Sequence, residues 1–107
     1  AGCTVTFPAS APACINHPEI CDLVDRCAAE FQMENLKRPP QLSSDDFSHV
    51  AVRVPSGYIW LGAGSTEPEY ADGVLHDPRV RFHEKALYYG TNLMLRAVTT
   101  WLEEHAR

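Results

Sequence analysis

The stretch SSDDFSHVAVRVPSGYIWLGAGSTEPEYADGVLHDPRVRFHEKALYYG, residues 43–90, decides how this chain is read. Ser43 or Ser44 can cap a short helix, with Asp45 and Asp46 at its positive end. Phe47, Val50, Ala51 and Val54 form that helix's apolar stripe, and Pro55 ends it. Ser56-Gly57 then turns the chain into Tyr58-Ile59-Trp60-Leu61. This apolar run has no alternation, as expected of a strand buried on both faces in a parallel sheet covered by helices. Gly62-Ala63-Gly64 closes it. From Ser65 to Arg81 the chain is polar, with Pro68, Gly73 and Pro78 opposing regular structure. A loop of about 17 residues is long for a compact domain, and such loops usually carry function.

The flanks agree with this layout. A helix is predicted from about His83 to the C-terminus, striped by Ala86, Leu87, Gly90, Leu93, Met94, Ala97, Val98, Trp101 and Leu102. Upstream, Asn16 can cap a helix with Pro18 in its first turn and Glu19 in capping-box position. Its stripe is Ile20, Leu23, Val24, Cys27, Ala28 and Phe31, opposed by Asp22, Asp25, Arg26 and Glu30. Residues 36–42 contain Pro39-Pro40 and leave room for a short strand and a turn. Cys3-Thr4-Val5-Thr6-Phe7 reads as another short strand. Pro8-Ala9-Ser10-Ala11-Pro12-Ala13 reads as an extended connector. Strand, helix, strand, helix, strand, loop and helix in this order predict an α/β fold, with helices packed on a mostly parallel sheet.

Composition narrows the function classes. Apolar residues make up 45% of the 107 and charged residues 21%, ordinary for a globular chain. A formal charge of −5 with nine Lys and Arg offers no basic stripe for phosphates, so nucleic acid is not an expected partner. No apolar run approaches the roughly 20 residues of a membrane span, and no signal peptide is apparent; the expected location is cytoplasmic. Cys3, Cys14, Cys21 and Cys27 lack C-x-x-C spacing and are read as structural thiols.

Few residues stand out for chemistry. His76 lies downstream of the predicted strand's C-terminal end, where open α/β sheets place their sites, and Pro78 stiffens the backbone beside it. By itself, a lone loop histidine reads first as a surface residue. Gly62 and Gly64 allow a close approach of backbone to a ligand, though a plain strand-to-loop turn explains them equally. Asp45-Asp46 reads as a capping pair before a catalytic one. His17, His49 and His105 read as surface residues.

Taken in order, Ser44-Asp45-Asp46-Phe47-Ser48, Val54-Pro55, Leu61-Gly62-Ala63-Gly64, Leu75-His76-Asp77-Pro78 and Phe82-His83-Glu84-Lys85-Ala86-Leu87-Tyr88-Tyr89-Gly90 closely resemble the C-terminal end of the M20 metallopeptidase and amidohydrolase family, most like its hippurate hydrolase and auxin-conjugate hydrolase branch. The family pattern reads S-E-D-F-S, V-P, L-G-A-G, L-H-x-P and D-E-x-A-L-x-x-G. The likeness covers Ser43 to the end and extends more loosely back to Cys3. Asp45 stands where the family usually has Glu, and His83 replaces a usual acidic residue; no function is assigned to His83.

The resemblance implies the C-terminal portion of a zinc-exopeptidase-like catalytic domain with a short strand left over from a lid domain. On this reading residues 1–8 end the lid, which mediates dimerisation, residues 9–16 are a linker, and residues 17–107 belong to the catalytic domain. It implies hydrolysis of amide bonds in N-acyl amino acids or similar conjugates, a divalent metal (zinc or manganese), and a parent able to form a homodimer. His76 maps onto a metal ligand, and Gly62 and Gly64 onto the substrate cleft. The family's remaining ligands and its general base, a Glu-Glu pair, precede the matched stretch, so no catalytic residue is assigned here. Catalytic zinc needs about three protein ligands. The expectation is therefore a fragment that requires the missing N-terminal part of the catalytic domain, or else a non-catalytic interaction module of the same fold.

Overall fold

The computed structural model describes residues 2–7, 10–71 and 74–106. Four helices are present: α1 (Pro18–Glu30), α2 (Ser48–Ala51), α3 (Pro68–Ala71) and α4 (Lys85–His105). No strand occurs among the described residues, which overturns the predicted α/β architecture of helices on a parallel sheet. Cys3–Phe7, residues 36–42 and the Tyr58–Leu61 run are all irregular. A strand is stable only in a ladder with neighbours, and the apolar run finds none. Its Ile59, Trp60 and Leu61 side chains are exposed. The predicted lid remnant and linker include Ala1, Pro8 and Ala9, and the loop includes Gly73; these lie outside the described residues.

The chain divides into two compact units. The first comprises Ala1–Cys21 and Leu36–Tyr58. Asn16 was expected to cap α1, but its amide instead pairs with the backbone of Tyr58. Its Nδ2 donates to the Tyr58 carbonyl at 2.9 Å, and its Oδ1 accepts from the Tyr58 N–H at 2.8 Å. The side chain thus satisfies both backbone polar groups of one residue, as a neighbouring strand would. The His17 carbonyl accepts the Cys21 N–H, and the His17 N–H donates to the Ser56 carbonyl. Asp45 organises α2: its Oδ1 accepts the Phe47 N–H at 2.8 Å and its Oδ2 accepts the Tyr58 hydroxyl at 3.1 Å. That bond raises the Tyr58 pKa, since a phenolate beside a carboxylate is disfavoured. The Phe47 and Tyr58 rings meet at 5.6 Å. The helix is shorter than its predicted stripe and spans four residues. The β-branched Val52 and Val54 and then Pro55 oppose its extension.

The second unit comprises Asp22–Asn35 and Ile59–Arg107. Here the predicted periodicity of α1 holds: Leu23, Cys27 and Ala28 are buried against Leu93 of α4, with Val24, Met33 and Ala97 packed around them. The two helices run antiparallel, because Arg26 pairs with Glu104 while Glu30, one turn later, pairs with Arg96. Arg96 grips Glu30 with two nitrogens, at 2.8 and 3.0 Å. Helix α1 ends in a Schellman motif, with Met33 N–H to the Ala28 carbonyl and Gln32 N–H to the Ala29 carbonyl. The left-handed position is filled by Gln32 (φ 56°), where glycine is usual.

Helix α4 begins within two residues of its predicted start, but its stripe is only half used. Leu93 is buried, whereas Leu87, Met94, Val98, Trp101 and Leu102 are exposed. At 100° per residue, Arg96, Ala97, Thr100 and Glu104 share Leu93's side of the helix, and the exposed group lies to one flank. A single facing helix covers only the first of these.

The Arg96 guanidinium holds the Glu30 carboxyl below the ordinary glutamate range, first through its hydrogen bonds and then through its charge. A depressed carboxylate stabilises the fold above its unfolded pKa, about 4.3, and that contribution is lost as the pH falls through the folded value. Glu30→Gln should therefore flatten the acid limb of a urea-midpoint titration run from about pH 6 to pH 2. The midpoint near neutrality should fall by the same amount, a small one because the pair is solvent-exposed, and the two proteins should converge at the acid end.

Candidate functional site

Residues 59–84 belong to the second unit and hold the residues singled out for function. The Ala63 carbonyl accepts the His83 N–H at 2.8 Å, so the segment between them leaves and returns at one point. Gly62 and Gly64 flank that carbonyl, and both are exposed. A β-carbon at either would meet nothing within 4 Å, so packing within the described chain does not require glycine there.

The segment was expected to be free of regular structure, yet it contains α3, with Pro68 at its first position. There the missing N–H of proline costs no helical bond. His76 follows in a tight turn closed by the Asp77 N–H to the Val74 carbonyl at 2.9 Å. As the third residue of this turn it has φ 74°, a left-handed backbone that type II turns demand and that glycine normally supplies. A histidine held there costs roughly 1–2 kcal/mol relative to an ordinary conformation. His76 is exposed, as are Val74 and Leu75. Asp77 pairs with Arg79. Its two oxygens accept from the Arg79 backbone N–H (2.8 Å) and guanidinium (3.1 and 3.0 Å). These bonds hold its carboxyl below the usual range and brace the backbone just after His76.

His83, to which no role was assigned from sequence, gathers several contacts. Its Nδ1 accepts the Lys85 N–H at 3.2 Å at the start of α4. Its Nε2 lies 4.0 Å from Glu67 Oε1, and its ring packs on Tyr70 with centroids 5.0 Å apart. Tyr70 is held above the ordinary tyrosine pKa, first by the charge of Glu69 and further by burial, Glu84 and Glu67. An aromatic residue in an otherwise polar loop was the available sequence signal for this cluster.

The other candidates are dispersed. Asp45 and Asp46, expected to cap the first turn of a helix, precede α2, whose first turn holds no acidic residue and whose start has no side-chain cap; the Asp45 carboxylate instead accepts the Phe47 N–H and the Tyr58 hydroxyl. His49 is exposed, and His105 stacks on Trp101 at 4.4 Å. His17, expected at the surface, is half-buried with its Nδ1 enclosed and unpartnered. It lines an open groove of about 340 Å³ with Ile15, Arg53 and Pro55. All four cysteines are free thiols; Cys27 is in the core, while Cys3 and Cys14 are exposed. Among the described residues, no three His, Cys, Asp or Glu side chains gather as ligands for one ion. The described residues thus present single candidate ligands. No helix among the described residues is long and apolar enough to cross a membrane.

Comparison with known families decides the lineage: residues 2–100 match peptidase family M20/M25/M40. The chain belongs to the M20 family. It is similar to two uncharacterised hydrolases of Staphylococcus epidermidis, from strains ATCC 12228 and RP62A. Each is 30% identical over 87 residues, covering 79% of this chain and 22% of the relative. The chain therefore spans about a fifth of the length of these relatives. No solved structure matches it. M20 membership makes hydrolase chemistry the frame for these residues, in a family that is generally metal-dependent.

Proposed function

We propose that this chain is the C-terminal segment of an M20 amidohydrolase that cleaves amide bonds of N-acyl amino acids or similar conjugates, and that it is inactive alone. His76 carries this reading. In a family whose L-H-x-P histidine is a metal ligand, the histidine of Leu75-His76-Asp77-Pro78 is exposed and sits in a left-handed turn. Backbone strain of this kind is characteristic of functional positions. His76 supplies one ligand to a divalent ion, zinc or manganese, and the other ligands and the proton acceptor come from the N-terminal part of the catalytic domain. Gly62 and Gly64, where an added β-carbon would meet nothing within 4 Å among the described residues, leave backbone open for substrate.

The thin core supports the same reading. Among the described residues four apolar side chains are buried, while Trp60, Leu61, Leu87, Met94 and Leu102 are exposed. Exposed apolar side chains in this number suit a surface that the remainder of a longer hydrolase would cover. The test is zinc content and hydrolysis of N-acyl amino acids by the full-length enzyme and its His76→Ala variant, with this chain alone as the inactive control. Amide hydrolysis by the isolated chain, or a variant with unchanged metal and rate, would overturn the reading.

A further inference from the structure

We propose that the uncharged flank of α4, together with the Ile59–Leu61 run seated beside it, is the surface on which the N-terminal part of the hydrolase docks. The inference rests on the reading of this chain as a segment of a longer enzyme, and it names the face that joins the two parts. Helix α4 is apolar on two sides. Leu93 and Ala97 lie in the core made with α1. At 100° per residue, Leu87, Met94, Leu95, Val98, Trp101 and Leu102 form a second arc, about 120° wide, to one flank of that side. All six are exposed. No Asp, Glu, Lys or Arg of α4 falls within the arc. Arg96 and Glu104 are turned to their partners on α1, and Lys85 and Glu103 lie on the other flank. A helix with one side in a core and the other in water keeps its charges on the water side; α4 leaves this flank bare of them.

The arc does not stop at the helix. Gly90 lies at its edge, and a β-carbon there would come within 2.7 Å of Leu61 Cδ2, so glycine lets Leu61 lie close against α4. Ile59, Trp60 and Leu61 are exposed as well, and the run therefore widens the apolar surface. Its occupant is the rest of the same polypeptide. This chain covers 22% of each Staphylococcus epidermidis relative, so the enzyme has ample length to supply a cover. The run also leads directly into Gly62-Ala63-Gly64, and a polypeptide lying on it reaches the backbone read as open to substrate. A second copy of this chain would bring only what the chain already has, and none of the ligands that His76 lacks. The docking face is itself apolar, because a charge buried against this flank would find no counter-charge on it.

Hydroxyl-radical footprinting read by mass spectrometry tests the dock on unmodified protein. Met94, Trp101 and Leu102 should be readily oxidised in the isolated chain, diluted until it sediments as a monomer. They should be protected in the full-length hydrolase under the same condition. Equal oxidation in the two overturns the proposal. Protection that appears only as the hydrolase dimerises assigns the face to a second copy and overturns it too. Leu95→Lys gives an independent reading. It should leave the urea midpoint of the isolated chain unchanged, since Leu and Lys have similar helix propensity. In the full-length hydrolase it should lower Tm by several degrees, because the charge is then buried without a partner. A full-length Leu95→Lys protein with the parent's Tm counts against the dock. Hydrolysis of an N-acyl amino acid separates the two readings. A full-length protein that protects the arc without cleaving refutes the proposed reaction alone, and one that cleaves with the arc exposed refutes the dock alone.

Discussion

Replacing His76 by alanine is expected to weaken zinc binding by the full-length hydrolase by at least about 100-fold, with amide hydrolysis falling in step. The magnitude follows from coordination: a catalytic zinc has about three protein ligands, and even residues one shell further out are worth 10–100-fold. Metal analysis after dialysis and initial rates on an N-acyl amino acid read the two effects. The informative companion is His76→Gly. Glycine accepts φ 74° without the left-handed penalty, although it loses more chain entropy on folding. The net expectation is a fold more stable by up to about 1 kcal/mol that has lost its metal. Gln32→Gly, at φ 56° in the α1 Schellman turn, is the control. It should bring a similar gain in urea stability with zinc affinity untouched. A His76→Gly protein that is less stable than its parent would show that the turn is not strained, and the argument from backbone cost would fall.

Leu93→Ala should be the most damaging substitution for this chain's own fold, at about 2–5 kcal/mol. Leu93 is the α4 residue buried against Leu23, Cys27 and Ala28. Truncating it opens a cavity in a core with almost nothing else to redistribute. Helical circular dichroism through a urea titration should show α1 and α4 melting at much lower denaturant. Leu93→Met, which conserves volume, should cost less than about 1.5 kcal/mol. Leu87→Ala, one face away and three-quarters exposed, should stay within about 0.5 kcal/mol in the isolated chain. In the full-length hydrolase the same Leu87→Ala should become costly, because the remainder of the enzyme covers that face on the reading proposed here. Equal effects of Leu87→Ala in the two contexts would count against that cover.

Helices α1 and α4 were legible because each needs only its own backbone for hydrogen bonds, and an apolar stripe at 3.6-residue spacing declares itself locally. Cys27 and Leu93 fell on their predicted stripes for that reason. The caps were less legible. Asn16 has the chemistry of a cap, yet its amide completes the backbone of Tyr58, 42 residues away. The α1 terminus uses Gln32 where a reader would look for glycine. The predicted sheet failed for a related reason. Tyr58-Ile59-Trp60-Leu61 has a strand's composition, but a strand's hydrogen bonds must come from a neighbour, and the described residues supply no strand beside it.

The site divides along the same line. Sequence alone, through the resemblance of Asp46-Phe47, Gly62-Ala63-Gly64, Leu75-His76-Asp77-Pro78 and Glu84 to Gly90 to an M20 pattern, pointed to the lineage that the family comparison shows and singled out His76. It could not reveal that His76 sits in a left-handed turn, because φ depends on how Val74 and Asp77 close around it. Nor could it reveal that His83 meets Glu67, Tyr70 and Lys85 at the neck of that segment. Motif order survives in one dimension because chemistry fixes residue types. Contacts between residues far apart in the chain, and the strain they sustain, exist only once the backbone is folded, and only the tertiary structure decided those.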